Sequence, residues 1–557
     1  MKILRKHRTR NLLGRLTVAI VVSLVVCFSA GLKTYGLVGA RAAQSSSDTL
    51  IVAIAGTPQG VDDDLVNGPL VWTIAGNVEG FGLQYDHIKY PFKPAANADP
   101  NQVPGFWYPD LTFHNVHPGI LSSCDLSGDG ETVMYHIHHG IRSPYGHELT
   151  SADYVWTVRM ANATKAIHLF LLQLVGAGNV SQYHVVDRYT VKITSNKPMP
   201  YICESTAHIG LAVLDSREAQ KHATSSDPWA KNWRLTHDDF FGPYHITDWE
   251  AGRQVVMQAN PYYLGPKPSI KKIVWLIVPE AANRVALLQS GQIDVAESLS
   301  PDEIAFLRTT PSARGVAVAS DLDLAGVTNN STSPFNNKKV RQAVEMAMPR
   351  SQMAGNIFRG LAQASEGVLA LATPGVTNFH TYGYNLTVAK RLLAQAGYPN
   401  GFSTPLSYSA GDPVQEQIAV LMRSALANLG VRVALQPLPP AAIGDLVLGH
   451  KATFALWSDG SFLPDPVFGL FLRYPTGAVP NYENYSNSAV DKLITKGSSI
   501  LNTQQRISFS KSIQEIVHDD AAMTYLVSTD YTIGLSRAIT GWNWDPSNFY
   551  HIVTMSK

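Results

Sequence analysis

Residues 240–295 read FFGPYHITDWEAGRQVVMQANPYYLGPKPSIKKIVWLIVPEAANRVALLQSGQIDV, and no other stretch says as much about the architecture. Gly242-Pro243-Tyr244 marks a turn, and the residues after it form a strand. A second turn falls at Asn260-Pro261-Tyr262-Tyr263. Another apolar strand, a short helix and the exit Gly291-Gln292-Ile293-Asp294 follow. Gly and Pro stand where the chain must reverse, and a helix crosses over the strands, which is the grammar of α/β construction.

The same alternation extends outward on both sides. Asp48–Gly56 (DTLIVAIAG) is a bounded apolar strand, and Val61-Asp62-Asp63-Asp64 a polar turn. Val133–His139 has period-two character and leads to a turn at Gly140. Thr150 and Asp153 sit three apart before Tyr154, Val155, Trp156 and Val158, a capping box in which each side chain satisfies an orphan amide of the first helical turn. Ser300-Pro301-Asp302-Glu303 repeats the device with Pro in the first helical position.

Further along, Asn336 or Asn337 caps a helix whose apolar stripe is Val340, Ala343, Val344, Ala347 and Met348. A helix from Asn385 to Ala396 ends at Gly397, and Gln415–Leu429 is closed by Gly430 before the strand Val431–Gln436. Residues 43–48 (AQSSSD) are a short flexible leader.

At 557 residues the chain holds roughly three or four domain-sized units. Its 45% hydrophobic and 16% charged content suits a large packed core. The net charge of +1 hides an asymmetry. Residues 1–42 carry eight Lys or Arg and no acid, which leaves 36 basic against 43 acidic residues in the rest, a net of −7. That body has no basic footprint for nucleic acid, so no nucleic-acid partner is expected.

The N-terminus reads as an export signal over residues 1–43. A basic stretch precedes the apolar run Leu16–Leu32, and Ala40-Arg41-Ala42-Ala43 offers a cleavage site. Retained, the same segment would be an uncleaved membrane anchor. Cys27 lies deep in the apolar run behind bulky Val26, which disfavours lipidation. Cys124 and Cys203 remain in the mature chain, and in an exported protein they read either as a disulfide or as two buried thiols.

Several segments resemble, in order along the chain, the blocks of the family 5 extracellular solute-binding proteins, the peptide- and nickel-type receptors of ABC importers. The 240–295 block is similar to that family's signature. Gly140–Trp156 (GIRSPYGHELTSADYVW), Pro334–Arg350 (PFNNKKVRQAVEMAMPR), Tyr384–Phe402 (YNLTVAKRLLAQAGYPNGF) and Asn484–Leu493 (NYSNSAVDKL) are similar to further blocks. Two departures are local: Pro349 stands where the family usually has Asp, and Tyr85–His117 is longer and richer in His and aromatics.

The resemblance implies an α/β two-lobe periplasmic-binding-protein type II fold (a Venus flytrap) with an extra subdomain in the first lobe. Lobe I would span 48–320, with the subdomain at about 90–235. Lobe II would span 321–524, and 525–557 would return to lobe I. It also implies an exported monomer in the periplasm or on the outer face of the cytoplasmic membrane. That monomer would have a peptide ligand, separate ABC permease and ATPase subunits as partners, membrane association through the permease or the N-terminal anchor, and no cofactor.

A receptor for varied peptides must grip what all peptides share, their charged ends and backbone amides. Within Phe454–Phe468 (FALWSDGSFLPDPVF), Asp459 is the expected partner of the peptide ammonium, with Asp465 as its rival, because one gap of the family pattern is shorter here and another longer. Each also suits ordinary turn chemistry, before Gly460 or before Pro466. Trp457 is expected to flank the ligand or to pack in the core. Asn67-Gly68-Pro69 is expected to offer backbone groups from the facing lobe, and Asn330 and Asn481 to lie near cleft and hinge. For the peptide carboxylate Arg473 is the candidate, its alternative identity being a solvated surface residue.

The same residues bear on other classes. His136 and His138 on one strand face, with His114, His117, His139 and His147 nearby in sequence, would suit a receptor for nickel chelates, although this stretch aligns with an ordinary strand-turn block. An exported hydrolase would need a motif such as Gly-x-Ser-x-Gly or His-Glu-x-x-His, and neither occurs. A receptor for other small solutes, or a sensory protein reusing the receptor fold, is the alternative use of the same architecture.

Overall fold

Thr49–Ile54 (TLIVAI) is buried along its whole length. It lies parallel to both of its neighbours, Lys272–Ile277 and Val295–Ala296, and parallel strands covered on both faces carry continuous apolar runs. It is one strand of an eleven-stranded sheet in this computed structural model, which describes residues 46–58, 60–61, 69–85, 87–89, 107–109, 116–208, 211–461, 463–545 and 549–557. The N-terminal segment, and with it the export-signal reading, lies outside the described residues. Among those residues no helix is long and apolar enough to cross a membrane.

The sheet runs in the order Tyr244–Glu250, Gln254–Ala259, Lys272–Ile277, Thr49–Ile54, Val295–Ala296, Thr524–Ser536, Ala313–Thr328, Phe454–Asp459, Ser403–Ser409, Arg432–Leu438; Ala362–Ala364 pairs off this path with Thr524–Ser536. The sequence predicts one strand between the Pro243 and Asn260 turns. The structure has two, an antiparallel hairpin reversing at residues 251–253, where Gly252 has φ +77°. The polar residues of that reversal merge with the outward-facing residues of the flanking strands, so the alternation conceals it.

Local signals elsewhere are met closely. Asp153 accepts hydrogen bonds from the Thr150 amide at 2.8 Å, and Glu303 from the Ser300 amide at 2.7 Å. Asn337 and Asn385 cap the helices Lys338–Glu345 and Leu386–Gln395. Gly397 and Gly430 both take positive φ after their helices, as a left-handed C′ residue does. The third of these helices starts earlier than expected, at Pro413, because Asp412 caps it.

Two long strands join the halves of the sheet. Ala313–Thr328 and Thr524–Ser536 are antiparallel partners, and their register shifts between Ala319 and Asp323 and again between Leu324 and Ala325. Residues 313–319 belong with the Thr49–Ile54 side, whose core includes Trp275, Trp542 and Trp544. Residues 323–328 pair with Phe454–Asp459, beside a core that contains Phe335, Phe402 and Phe454.

A separate four-stranded sheet (Leu121–Leu126, Thr132–Ile137, Thr190–Thr194, Tyr183–Asp187) has its own core. Cys124 and Cys203 form a disulfide with Cα atoms 5.7 Å apart, tying the first of these strands to the short helix Ile202–Ser205. Leu463 and Phe468 pack into this core, the Phe468 ring lying 5.2 Å from that of Tyr201. Arg506 reinforces the contact. It pairs with Asp465 at 2.9 Å, lies 3.7 Å from Glu204 and stacks over Tyr201 at 4.9 Å.

Candidate site at the end of the strand Phe454–Asp459

Asp459 ends the strand Phe454–Asp459, and its cross-strand partner in Ala313–Thr328 is Asp323. Like charges directly opposite one another destabilise a ladder unless a cation intervenes. Arg473 supplies that cation. It sits at the end of the helix Pro466–Arg473, is 2% exposed, and reaches Asp323 through both terminal nitrogens at 2.7 and 3.4 Å. Its Nε lies 3.7 Å from Asp459 and makes no hydrogen bond. The structure thus corrects the picture of Arg473 as a solvated surface residue: buried Asp323 and partly buried Asp459 hold it inside.

The guanidinium is spent mainly on Asp323, so Asp459 is a carboxylate in excess. Its Oδ1 accepts the Gly460 amide at 2.9 Å, and the Tyr482 hydroxyl donates to the same carboxylate. Its side chain keeps 20% of its surface, against 2% for Arg473. Burial pushes its pKa up and Asp323 adds to the rise, while Arg473 opposes it. The Trp457 ring stands 6.0 Å from that of Tyr482, and its indole N–H is buried without an acceptor.

The other candidates are held by contacts of their own. Asp465 caps the Arg473 helix, accepting from the Val467 and Phe468 amides at 2.9 and 3.0 Å, and its second oxygen takes Arg506. Asn481 is 1% exposed, with its amide group bonded to the Pro475 and Tyr485 carbonyls and its oxygen to the Tyr485 amide. It braces the loop that presents Tyr482 and Glu483. Asn330 donates its side-chain amide to the Ala522 carbonyl and its backbone N–H to the Glu483 carbonyl, both at 2.7 Å. Pro69 opens the helix Pro69–Val78, while Asn67 and Gly68 lie outside the described residues.

Sequence reasoning missed Asp323, Tyr482 and Glu483. A signal for the first exists: Asp321 and Asp323 are the two acids of a mostly apolar strand, and buried charges are paired or hydrogen-bonded. Asp321 accepts the Ser461 amide at 3.2 Å, which places it beside the same turn as Asp459.

Three of the candidate histidines make other contacts, and His114 lies outside the described residues. His136 pairs with Asp125 at 3.2 Å, His139 stacks on Tyr189 at 4.0 Å, and His147 meets Asp215 at 2.8 Å. No group of three His, Cys, Asp or Glu able to hold a metal ion occurs among the described residues. Ser143, Asp215 and His147 do meet, but in the wrong order for nucleophilic catalysis. Ser143 donates to the Asp215 carboxylate at 2.5 Å, and His147 binds the same oxygen, so no imidazole faces the hydroxyl.

Two strands thus bring Asp323, Arg473 and the partly exposed Asp459 together at one end of the sheet. The family model for bacterial extracellular solute-binding proteins, family 5 (middle) matches residues 115–480, and the chain belongs to that family. A relative, the probable D,D-dipeptide-binding periplasmic protein DdpA of Escherichia coli strain K12, is 28% identical over 386 residues, covering 67% of this chain and 72% of its own.

Among solved structures, the periplasmic binding protein DppA of Helicobacter pylori in complex with the peptide STSA has a TM-score of 0.77 at 21% identity, covering 91% of this chain and 98% of its own. The dipeptide-binding protein of Pseudoalteromonas sp. SM9913 in complex with Met-Leu also has a TM-score of 0.77, at 16% identity, covering 91% and 100%. The likeness establishes the type II solute-binding fold expected from the sequence, and the relatives are binding proteins.

Proposed function

We propose that this chain is the extracytoplasmic receptor of an ABC importer for peptides, and that Asp459 receives the peptide's ammonium group. The observation that carries the reading is charge balance. Asp323 consumes Arg473, while Asp459 keeps an accessible, unneutralised carboxylate at a strand end beside Trp457 and Tyr482. A cation brought against such a carboxylate, and desolvated there, forms a charge-assisted hydrogen bond. The two solved structures hold the peptide STSA and Met-Leu, and DdpA is named for D,D-dipeptides, which supports the same class of ligand.

In this reading 48–320 with 525–557 forms one lobe, 321–524 the other, and about 90–235 the extra subdomain. Trp457 lines the ligand, and Asp465, Asn330 and Asn481 hold the walls. The protein acts as a monomer outside the cytoplasmic membrane and hands its cargo to separate permease and ATPase subunits.

The test is thermal stabilisation by a pool of tripeptides with free amino termini, compared with the same pool N-acetylated. Stabilisation by the free pool alone is expected, with every peptide recovered intact. Asp459→Ala should weaken binding by about 2–5 kcal/mol, as for one lost partner of a buried charge pair. Equal response to both pools, or cleaved peptides, overturns the reading.

A further inference from the structure

Glu483 is the unexplained group of this site. It is 1% exposed, and neither carboxylate oxygen has a hydrogen-bond partner. A buried carboxylate without donors is among the costliest arrangements a protein can hold, and protonation removes most of the cost. Its position is fixed from two sides. Its carbonyl accepts the Asn330 amide at 2.7 Å, and Asn481 pins the loop around it. The groups whose charge reaches it are those of the candidate site itself: Arg473 from the helix Pro466–Arg473, Asp459 from the strand end, and Asp323 from the long strand. Glu483 in turn acts on the buried phenols of Tyr474 and Tyr482.

We propose that Glu483 is a specificity-determining residue of the solute site, holding a proton until a cationic group of the solute settles against Asp459 and then releasing that proton to solvent. The inference rests on the reading of Asp459 as the ammonium partner. In the absence of a cation, Asp323 and Asp459 already outnumber Arg473, and a third negative charge at Glu483 would be repelled by both. Burial, more than either aspartate, holds its pKa at about 8. An incoming ammonium neutralises Asp459 and removes its repulsion, so that the charge of Arg473, whose Nε has no hydrogen-bond partner, favours the Glu483 carboxylate. The exchange balances: a carboxylic acid and a bound ammonium become a carboxylate, the same ammonium and one proton in water. The ligands so favoured carry a free ammonium or another fixed cation.

The experiment is a proton count. Wild-type protein in unbuffered salt with phenol red at pH 6.5 is titrated with the free-amine tripeptide pool, whose amines are already protonated there. Release of about 0.5–1 proton per bound peptide is expected, together with an affinity that rises up to about tenfold per pH unit between pH 6 and 7. Glu483→Gln should release none, and its affinity should no longer rise between pH 6 and 7. Binding of the free-amine pool with fewer than 0.1 proton released overturns the role of Glu483 and leaves that of Asp459 intact. Failure of the pool to bind, or equal binding when N-acetylated, overturns the reading of Asp459 and the role of Glu483 with it. The wild-type count decides the matter even if the variant does not fold.

Discussion

Asp323→Ala is the perturbation that tests the charge arithmetic most directly. Asp323 holds Arg473 through two contacts, at 2.7 and 3.4 Å, in a region where the guanidinium is almost wholly buried. Removing one partner of a buried ion pair leaves the other uncompensated, at a cost of about 3–5 kcal/mol. Here Asp459 stands 3.7 Å from the Arg473 Nε and takes over part of the role, so the loss falls at the lower end, about 3 kcal/mol. At 1.4 kcal/mol per tenfold, that lowers the folded-to-unfolded ratio roughly 150-fold.

The same takeover has a second consequence. Once Asp459 neutralises Arg473 it is no longer in excess, so affinity for free-amine peptides falls as well, although the mutated residue lies one strand away. Urea denaturation followed by Trp fluorescence gives the first quantity, and peptide titration of the folded variant the second. An unchanged urea midpoint, or a destabilised variant that binds free-amine peptides as tightly as wild type, would refute the argument that one guanidinium is shared unequally by two aspartates.

Two further outcomes follow from the structure. The Cys124–Cys203 disulfide closes a loop of 79 residues, and closing a loop of that length is worth about 4.5 kcal/mol in chain entropy. The double Cys→Ser variant should therefore melt well below wild type, and identical melts with and without reductant would count against it. Stability should also rise as pH falls from 8.5 towards 5.5. Burial raises Glu204 and Glu297 to about 7, Asp238, Glu345 and Glu483 to about 8, and Asp239 and Asp530 to about 6. The folded state keeps these protons where the unfolded chain has lost them, so the stabilisation is present at low pH and is lost as pH rises through the folded-state values. Differential scanning fluorimetry across that range reads the slope. Asp238→Asn, at a carboxyl with one unpartnered oxygen, should flatten it measurably.

What the sequence disclosed was local. Thr150 with Asp153, Ser300 with Glu303, Asn337, Asn385, Gly397 and Gly430 all act within a few residues of themselves, and the chain carries their meaning on its face. The resemblance supplied the order of the units and pointed to the segment that holds Asp459. What stayed hidden was long-range pairing. Arg473 lies in an apolar helix 150 residues from Asp323, and no periodicity links them. Glu483 is one of many acids in polar company until folding buries its carboxylate without a hydrogen-bond partner. The hairpin within 244–259 was hidden for the opposite reason, because its turn imitates the polar faces of the strands beside it.

The long antiparallel pair Ala313–Thr328 and Thr524–Ser536 carries a mechanical implication. Between Ala319 and Asp323 the ladder loses its regular rungs, and Ser320 bridges to the Thr529 carbonyl through its hydroxyl instead. Such an interruption in a ladder bends the strand and increases its local twist. Asp321 lies within that interruption and Asp323 at its end, so the local backbone geometry of the irregularity sets where both carboxylates stand. The break in the ladder and the acids gathered near Arg473 and Ser461 thus fall on the same few residues.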